Sequence, residues 1–346
     1  MYQPPVQERI HQPAHIDAAA IRACIDQGEQ VVIQFTQDRL PAPLLASLDA
    51  LASTCGTALE IRFFGASTLP FDARVLRALP HAVNLSLDCH MRAIHLEQLG
   101  GLSHLKRLCL GVHHLAEGDI LALDNLRGLE SLSLEPTARA HIDLAPLRHW
   151  KRLTQLHTAG HAKNIEAITA VPTLAKLTLA QIKSKDDVDF IGAMPALERL
   201  CFILGGRTSI AHVTAPRLRE LEVARVRGLE DLGDIGRFPH LERLSVEDQS
   251  QVKEVRLGAN PALAWLVLRN CKAIEHLSGL AGLPALQALA VHMTRLDIDA
   301  LLAATMPAAL KQLSFSTGAK KARRRNPRAI DATRLRQGAL LLKTAF

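Results

Sequence analysis

Residues 260–291 read NPALAWLVLRNCKAIEHLSGLAGLPALQALAV, and the phrase PAL-x-x-L within them returns after 23 residues. Leucines spaced by two and three residues are compatible with one long apolar helix or with a short unit that the chain repeats. Pro261 and Pro284 stand at the same point of the two phrases. Proline has no backbone N–H and disfavours helix in the residue before it, so it ends the preceding segment. The stretch therefore predicts a repeated unit and excludes an uninterrupted helix.

A frame L-x-x-L-x-Φ, in which Φ is apolar, recurs along most of the chain. We call its second leucine the anchor, which is Leu266 in the stretch above. The twelve anchors are Ile61, Leu85, Leu108, Leu132, Leu156, Leu177, Leu200, Leu221, Leu244, Leu266, Leu289 and Leu313. Successive anchors are 21 to 24 residues apart, and a proline stands five residues before seven of them. Units of this length bury their apolar residues only against copies of themselves.

Each unit divides into a strand half and a return half. At Leu108 and Leu110 apolar and polar residues alternate, which is the period of a β-strand. Apolar residues after the strand follow at steps of about three, as at Leu229, Leu232 and Ile235, which indicates a helical or 3₁₀ return leg. Stacked units of this kind predict a parallel sheet on one side and return legs on the other.

The pattern resembles the leucine-rich repeat family over about residues 57–317, with units similar to those of internalin-like and phosphatase-regulator-like members. The resemblance implies an α/β solenoid (a horseshoe) with a parallel β-sheet on its concave face and short helical or 3₁₀ return legs on its convex face. The family usually places Asn or Cys five residues after the anchor, and Cys271 alone matches here. His90, His113 and His161 hold that position in three units. We interpret them as turn residues that bond to backbone, because no ligand-spaced carboxylate or cysteine accompanies them.

Both ends differ from the repeats, which predicts three segments. Residues 1–56 form an N-terminal cap, residues 57–317 form the solenoid of about twelve repeats, and residues 318–346 form a basic tail or cap. The apolar run at 339–342 is a candidate lid. Within the first segment the sequence predicts two helices and one strand, at Asp17 to about Gln27, at 41–54 and at Val31–Phe35.

The net charge of +7 is concentrated in the tail. From Thr317 to Phe346 nine Lys and Arg stand against Asp331, which gives 9 − 1 = +8, while the remaining residues carry 32 − 33 = −1. Such a segment is usually solvated, and it is also suited to nucleic acid or another acidic surface. The candidate anion-binding residues are Lys320, Lys321, Arg323, Arg324 and Arg325.

Composition and motifs argue against several classes of protein. No apolar run approaches the roughly 20 residues of a membrane span, and MYQPPVQERIHQP lacks the apolar stretch of a signal peptide. The six cysteines are widely spaced with no C-x-x-C pair, so we expect no disulfide and no metal, and favour a cytoplasmic location, with signal-independent secretion left open. No phosphate-binding glycine loop, G-x-S-x-G or H-E-x-x-H motif occurs, so no cofactor and no catalytic residue is predicted. An enzyme whose site assembles from distant residues is the remaining alternative to a binding protein.

Side chains that flank the strand apolar residues point outward, because successive strand residues alternate. At anchor −1, +1 and +3 these positions hold six bases and six acids, which argues against a phosphate backbone along the concave face. In the later half an apolar strip comprises Ile203, Trp265, Val267, Ala288 and Ala290. It is bordered by Glu220, Glu222, Arg243, Glu247 and Arg269.

A tryptophan ringed by charges is typical of a protein-binding hot spot. We expect Trp265 to project beside Val267 with Arg243 and Arg269 within reach; the other interpretation is that it packs against its neighbours or the tail. The partner-binding prediction therefore covers Ile203, Glu220, Glu222, Arg243, Glu247, Trp265, Val267 and Arg269. The predicted function is non-catalytic recognition of another protein, as an adaptor, an immunity protein or an effector's binding module. Binding of an acidic partner through the tail is the alternative.

Overall fold

The structure is a computed structural model that describes residues 7–65, 69–116, 119–138, 141–303 and 306–316. The chain divides into two compact units, one from Pro4 to Leu174 and one from Ala175 onward.

The N-terminal unit contains nine strands and two α-helices within its described residues. The strands are β1 Gln7–His11, β2 Gln30–Phe35, β3 Leu59–Phe64, β4 Phe71–Asp72, β5 Asn84–His90, β6 Ala93–Ile94, β7 Arg107–Val112, β8 Ser131–Leu134 and β9 Gln155–Ala159. The helices are α1 Ala18–Asp26 and α2 Ala42–Cys55, and 3₁₀ segments lie at Gly56–Ala58, Ala73–Ala78, Leu96–Gly101, Ile120–Ala122, Asp124–Gly128, Ala145–His149 and Ile165–Ala170. The main sheet has the order β1-β2-β3-β5-β7-β8-β9 with every neighbouring pair parallel, and β4 pairs with β6 in a separate ladder.

Both predicted N-terminal helices and the predicted strand between them are confirmed. The Asp17 carboxylate accepts a hydrogen bond from the Ala20 N–H at 3.0 Å and caps α1, and Pro41 immediately precedes α2. Strand β1 was not predicted, because QERIH offers a single strong apolar residue, Ile10, and no alternation to recognise. It nevertheless pairs with β2, with Ile10 opposite Ile33. The sheet thus begins within the segment that the sequence analysis assigned to the cap.

The C-terminal unit repeats the same plan without long helices. Its strands are β10 Lys176–Ala180, β11 Arg199–Ile203, β12 Glu220–Ala224, β13 Arg243–Glu247, β14 Glu254–Arg256, β15 Trp265–Arg269, β16 His276–Ser278, β17 Ala288–His292 and β18 Gln312–Ser316. Its helical segments are the 3₁₀ turns Asp189–Ala193, Ile235–Arg237 and Leu280–Gly282 and the short helix α3 Ile298–Ala303. The main sheet runs β10-β11-β12-β13-β15-β17-β18, all parallel, and β14 pairs with β16.

The strand register confirms the anchor frame in both units. From Ile61 to Leu156, and again from Leu177 to Leu313, each anchor lies opposite the next anchor in the neighbouring strand. Every anchor before Leu313 is at most 3 % exposed. Differences in unit length are therefore absorbed in the return legs, and the leucines form one stacked core in each unit.

The predicted 3₁₀ return legs are confirmed, as at Ala145–His149 and Asp189–Ala193, and in some units part of the leg is extended instead. Leu280 begins a single 3₁₀ turn, whereas Leu277 lies in β16, part of the extended ladder with β14. A unit of 21 to 24 residues leaves room for only one or two short turns after its strand, and extended backbone covers the remaining distance.

A left-handed residue follows the strand in most units, four residues after the anchor. In the C-terminal unit the residues are Gln181, Leu204, Arg225, Asp248, Asn270 and Met293, with φ between 51° and 60°. Such angles are uncommon for residues other than Gly, Asn and Asp. This recurrence was missed in the sequence, because Asp248 and Asn270 favour it while Leu204 and Met293 do not.

Candidate functional site

The main strands of the C-terminal unit turn one side away from the leucine core, and we call this side the strand face. The parallel register aligns its side chains in three rows. The rows are Arg199–Glu220–Arg243–Trp265–Ala288–Gln312, Cys201–Glu222–Ser245–Val267–Ala290–Ser314 and Ile203–Ala224–Glu247–Arg269–His292–Ser316. Seven of the eight predicted partner-binding residues therefore lie on three successive strands, β12, β13 and β15. Ile203 lies one strand further away, on β11.

Trp265 is the centre of the candidate site. The Arg243 guanidinium carbon lies 4.8 Å from the centroid of the Trp265 ring, and the two residues are register partners on β13 and β15. The expectation that Arg243 reaches Trp265 is confirmed. A cation over an indole face in this geometry is an attractive contact. The pair is half-buried, so each member keeps part of its surface open to solvent.

The apolar strip is less exposed than its sequence suggested. Val267, Ala288 and Ala290 are 8, 6 and 3 % exposed. Val267 and Ala290, in the second row, form a floor between the larger side chains of the first and third rows, and Ala288 is a small residue of the first row. None of the three presents a protruding patch. Ile203 is separated from this floor by β12 and β13, so the five-residue strip is interrupted. A strand-face contact would therefore engage Trp265 at the rim and small side chains beneath it.

The glutamates of the strand face are paired with arginines. Arg199 lies 3.4 Å from a carboxylate oxygen of Glu220 and 3.5 Å from one of Glu222. Arg269 lies 3.6 Å from the Glu247 carboxylate, which also accepts a hydrogen bond from the Ser245 hydroxyl at 2.9 Å. These cross-strand pairs neutralise the three glutamates of the predicted charged border.

Two neighbouring titratable groups are perturbed by the same packing. Burial raises the pKa of the Cys201 thiol, and the adjacent Glu222 carboxylate raises it further. Burial also lowers the pKa of His292, with Arg269 acting in the same direction. Both shifts favour the neutral forms, so Cys201 is not an activated nucleophile.

The turn histidines of the N-terminal unit serve the backbone, as predicted, in two units of three. The His90 Nε2 lies 2.9 Å from the Phe63 carbonyl oxygen, and the His161 Nε2 lies 3.0 Å from that of Glu135. Both side chains are buried, at 7 and 1 % exposure, whereas His113 is exposed. Within the described residues no group of three or more His, Cys, Asp or Glu could hold a metal ion.

A cleft of about 710 Å³ in the N-terminal unit is lined by polar side chains that the sequence analysis did not single out. Its Asp143 carboxylate accepts hydrogen bonds from the Asn164 amide at 2.7 Å and the Ala145 N–H at 2.9 Å, and lies 2.9 Å from the Lys163 ammonium. These contacts lower the pKa of Asp143 to about 2. A carboxylate held in this way ties successive turns together and is not available as a general base.

The remaining sequence predictions concern the tail and the membrane. Lys320, Lys321, Arg323, Arg324, Arg325 and the apolar run at 339–342 lie outside the described residues. In the part of the chain that the structure describes, no helix is both long and apolar enough to cross a bilayer.

This chain is similar to known proteins in its structure, and the similar proteins are among those with solved structures. No protein-family model matches the sequence, and a search of curated proteins gives no match. The functional domain of InlJ from Listeria monocytogenes is 17 % identical with a TM-score of 0.47, over 76 % of this chain, and this chain spans 57 % of that domain. A leucine-rich repeat protein of Leptospira interrogans is 13 % identical with a TM-score of 0.38, over 81 % of this chain and 99 % of its own.

The assignment of fold comes from the structure's own repeat. Parallel strands pair anchor to anchor, each is followed by a short return leg, and the buried leucines recur every 21 to 24 residues. Short units that each add one strand to a parallel sheet are not found in helical repeat proteins, whose units are pairs of helices. They are not found in propellers either, whose blades are antiparallel sheets. The chain has the fold of a leucine-rich repeat protein.

Proposed function

We propose that this chain is a non-catalytic module that recognises another protein through the strand face of its C-terminal unit. One observation carries the proposal, the half-buried Trp265 stacked against Arg243. The chain has two tryptophans, and Trp150 is 0 % exposed in the core, so Trp265 is its surface tryptophan. Tryptophan and arginine are the residues most enriched among those that dominate protein–protein binding energy.

The environment of Trp265 supports the same proposal. Val267, Ala288 and Ala290 are 8, 6 and 3 % exposed, so Trp265 supplies most of the apolar area that a partner would cover in this part of the face. The border glutamates already have arginine partners, so a bound protein would not bury an unpaired carboxylate there. Adaptor, immunity protein and effector module all remain roles for such a face.

The experiment is affinity capture from a lysate of the source cells with the full chain and with Trp265→Ala, read by quantitative mass spectrometry. Loss of an anchor aromatic typically costs on the order of 2 kcal/mol or more, about thirtyfold in affinity. A genuine partner should therefore be retained by the full chain and depleted by the variant. Thermal melting of the two proteins should be nearly the same, because the side chain lies outside the leucine core.

The matched control is Arg107→Ala, which truncates the residue before the anchor on β7 of the N-terminal unit and should retain the partner. Titration of the purified partner against both variants then gives the affinities. Equal affinity for Trp265→Ala and the full chain would move the binding site away from the strand face of the C-terminal unit.

A further inference from the structure

The charges of the strand face do not balance once its ion pairs are formed. The face holds four Lys and Arg, at Lys176, Arg199, Arg243 and Arg269, against Glu220, Glu222 and Glu247. Arg199 takes the first two glutamates and Arg269 takes the third. No carboxylate of the described residues lies within ion-pair distance of Arg243, although Glu220 is its register partner. One arginine at the centre of the face is thus left without an anion.

Arg243 is held in a position that suits a carboxylate ligand. Its guanidinium lies against the Trp265 ring at 4.8 Å, which restricts the side chain without using its N–H groups. Those groups donate no hydrogen bond to another described residue. A planar guanidinium with free donors binds carboxylates bidentately, and partial burial strengthens that pair relative to one in open water.

The register also predicts a notch, a position where a small side chain stands between larger ones, two strands away from this cation. Along the first row the order is Arg243, Trp265, Ala288, Gln312, so the small Ala288 stands between two large side chains. Neighbouring strands are about 4.8 Å apart, which places Ala288 about 10 Å from Arg243 along the row. The floor of Val267 and Ala290 continues beneath it. A large apolar side chain fits over Ala288, against the indole of Trp265.

We propose that the strand face receives an extended polypeptide segment in which an Asp or Glu stands two or three residues from a large apolar residue. The carboxylate binds Arg243, and the apolar side chain occupies the notch at Ala288. Side chains two residues apart share a face of a strand at about 7 Å, and side chains three residues apart share a side of a polyproline II segment at about 9 Å. Both spacings suit the two positions, because the Arg243 guanidinium leans over Trp265 and so lies nearer to Ala288 than its backbone does. This inference deepens the proposed function and rests on it.

The test selects random dodecapeptides displayed on phage against the immobilised full chain, Arg243→Glu and Trp265→Ala. The control variant is Arg217→Glu, because Arg217 is exposed in the turn before β12 and lies outside the strand face. The full chain and the control should enrich peptides with an acid two or three residues from an aromatic or aliphatic residue. Arg243→Glu should not enrich them, and the best such peptide should bind it at least about tenfold more weakly by fluorescence anisotropy. Replacing the peptide's acid by Lys should restore binding to Arg243→Glu.

The outcomes separate this inference from the proposed function. Peptides that depend on Trp265 but lack an acid, or bind Arg243→Glu unchanged, overturn the acidic-segment inference and leave the strand face as the binding site. Peptides that bind Trp265→Ala as well as the full chain overturn both. Failure of the full chain to enrich any peptide also overturns the inference, while the proteome capture still decides the proposed function.

Discussion

At the scale of single residues, polar side chains five residues after some anchors bond to the backbone of the turn. His161 uses both ring nitrogens there. Its Nδ1 accepts a hydrogen bond from the Ile142 N–H at 3.2 Å, so its Nε2 carries the proton and donates to the Glu135 carbonyl. A protonated ring would place a second N–H against the Ile142 donor. Burial lowers the pKa of His161, with His141 nearby acting in the same direction, so the folded chain holds the neutral ring.

The first prediction is a pH dependence of stability from this residue. The folded pKa lies below the ordinary value of 6.5, so as pH falls the unfolded chain takes up the proton first. The contribution of His161 is fully present above pH 6.5 and is lost as pH falls toward the folded pKa. In His161→Asn no ring is left to titrate, so this loss should vanish. Urea unfolding at pH 7.5 to 5 should show the two free energies of unfolding diverging by up to about 1.4 kcal/mol per pH unit.

His113→Asn is the control for that measurement, because it changes the same residue type at the equivalent position on an exposed side chain. Its pH profile of stability should run parallel to that of the unmodified chain. Parallel profiles for the His161 variant as well would show that the buried ring tolerates its charge.

At the scale of the element, the left-handed residue explains which turn side chains face the core. Cys89 and Gly160, at φ 59° and 74°, come immediately before the buried His90 and His161. Strand β7 continues through Val112, which lacks this conformation, and the next residue, His113, is exposed. The side chains after the left-handed residues Asp248 and Asn270 are buried as well, whereas Thr294 after Met293 is half-buried. The sequence predicted the position of the polar residue, and the backbone angle before it decides whether that residue serves the core.

Strands and their register could be read from the sequence because two signals agree. Alternation at Leu108 and Leu110 specifies a strand, and a slip of one residue would turn every leucine outward. Return legs carry no such constraint. Apolar residues about three positions apart, as near Leu277, occur both in 3₁₀ turns and in irregular extended backbone, so the spacing does not distinguish the two. The candidate site was partly readable for the same reason. Alternation places Trp265 outward, but it does not reveal that Val267 and Ala290 would be covered by their neighbours.

The second prediction tests the register itself. Leu200 is 0 % exposed, with Leu177 and Leu221 as its register partners. Leu200→Asp places a carboxylate there with no counter-charge, at a cost of several kcal/mol, a large part of the stability of an ordinary domain. Circular dichroism should show a large fall in melting temperature or loss of the folded signal. The control is Lys176→Asp on the exposed side of β10, which should melt almost normally; equal melting of the two variants would contradict the assigned frame.

At the scale of the whole molecule, charge and structure are distributed differently along the chain. The segment from Thr317 carries +8 and the rest of the chain −1, by the counts given above. The leucine core of the C-terminal unit continues to β18, where Leu313 and Phe315 are half-buried, while Leu289 and Val291 in β17 are 1 and 0 % exposed. Binding that depends on net charge and binding at the strand face are therefore separable in one chain by truncation.

The last prediction uses that separation. A chain that ends at Thr317 should elute from heparin near the start of a salt gradient, whereas the full chain should be retained, because Lys320, Arg323 and their basic neighbours are removed. The β-strand contribution to its far-ultraviolet circular dichroism spectrum should equal that of the full chain. Its affinity for any partner that binds at Trp265 should be unchanged. Retention of the truncated chain on heparin would place the anion-binding surface among the described residues. Aggregation on truncation would instead assign 339–342 to covering Leu313 and Phe315, with the tail acting as a lid for the core and not as a binding segment.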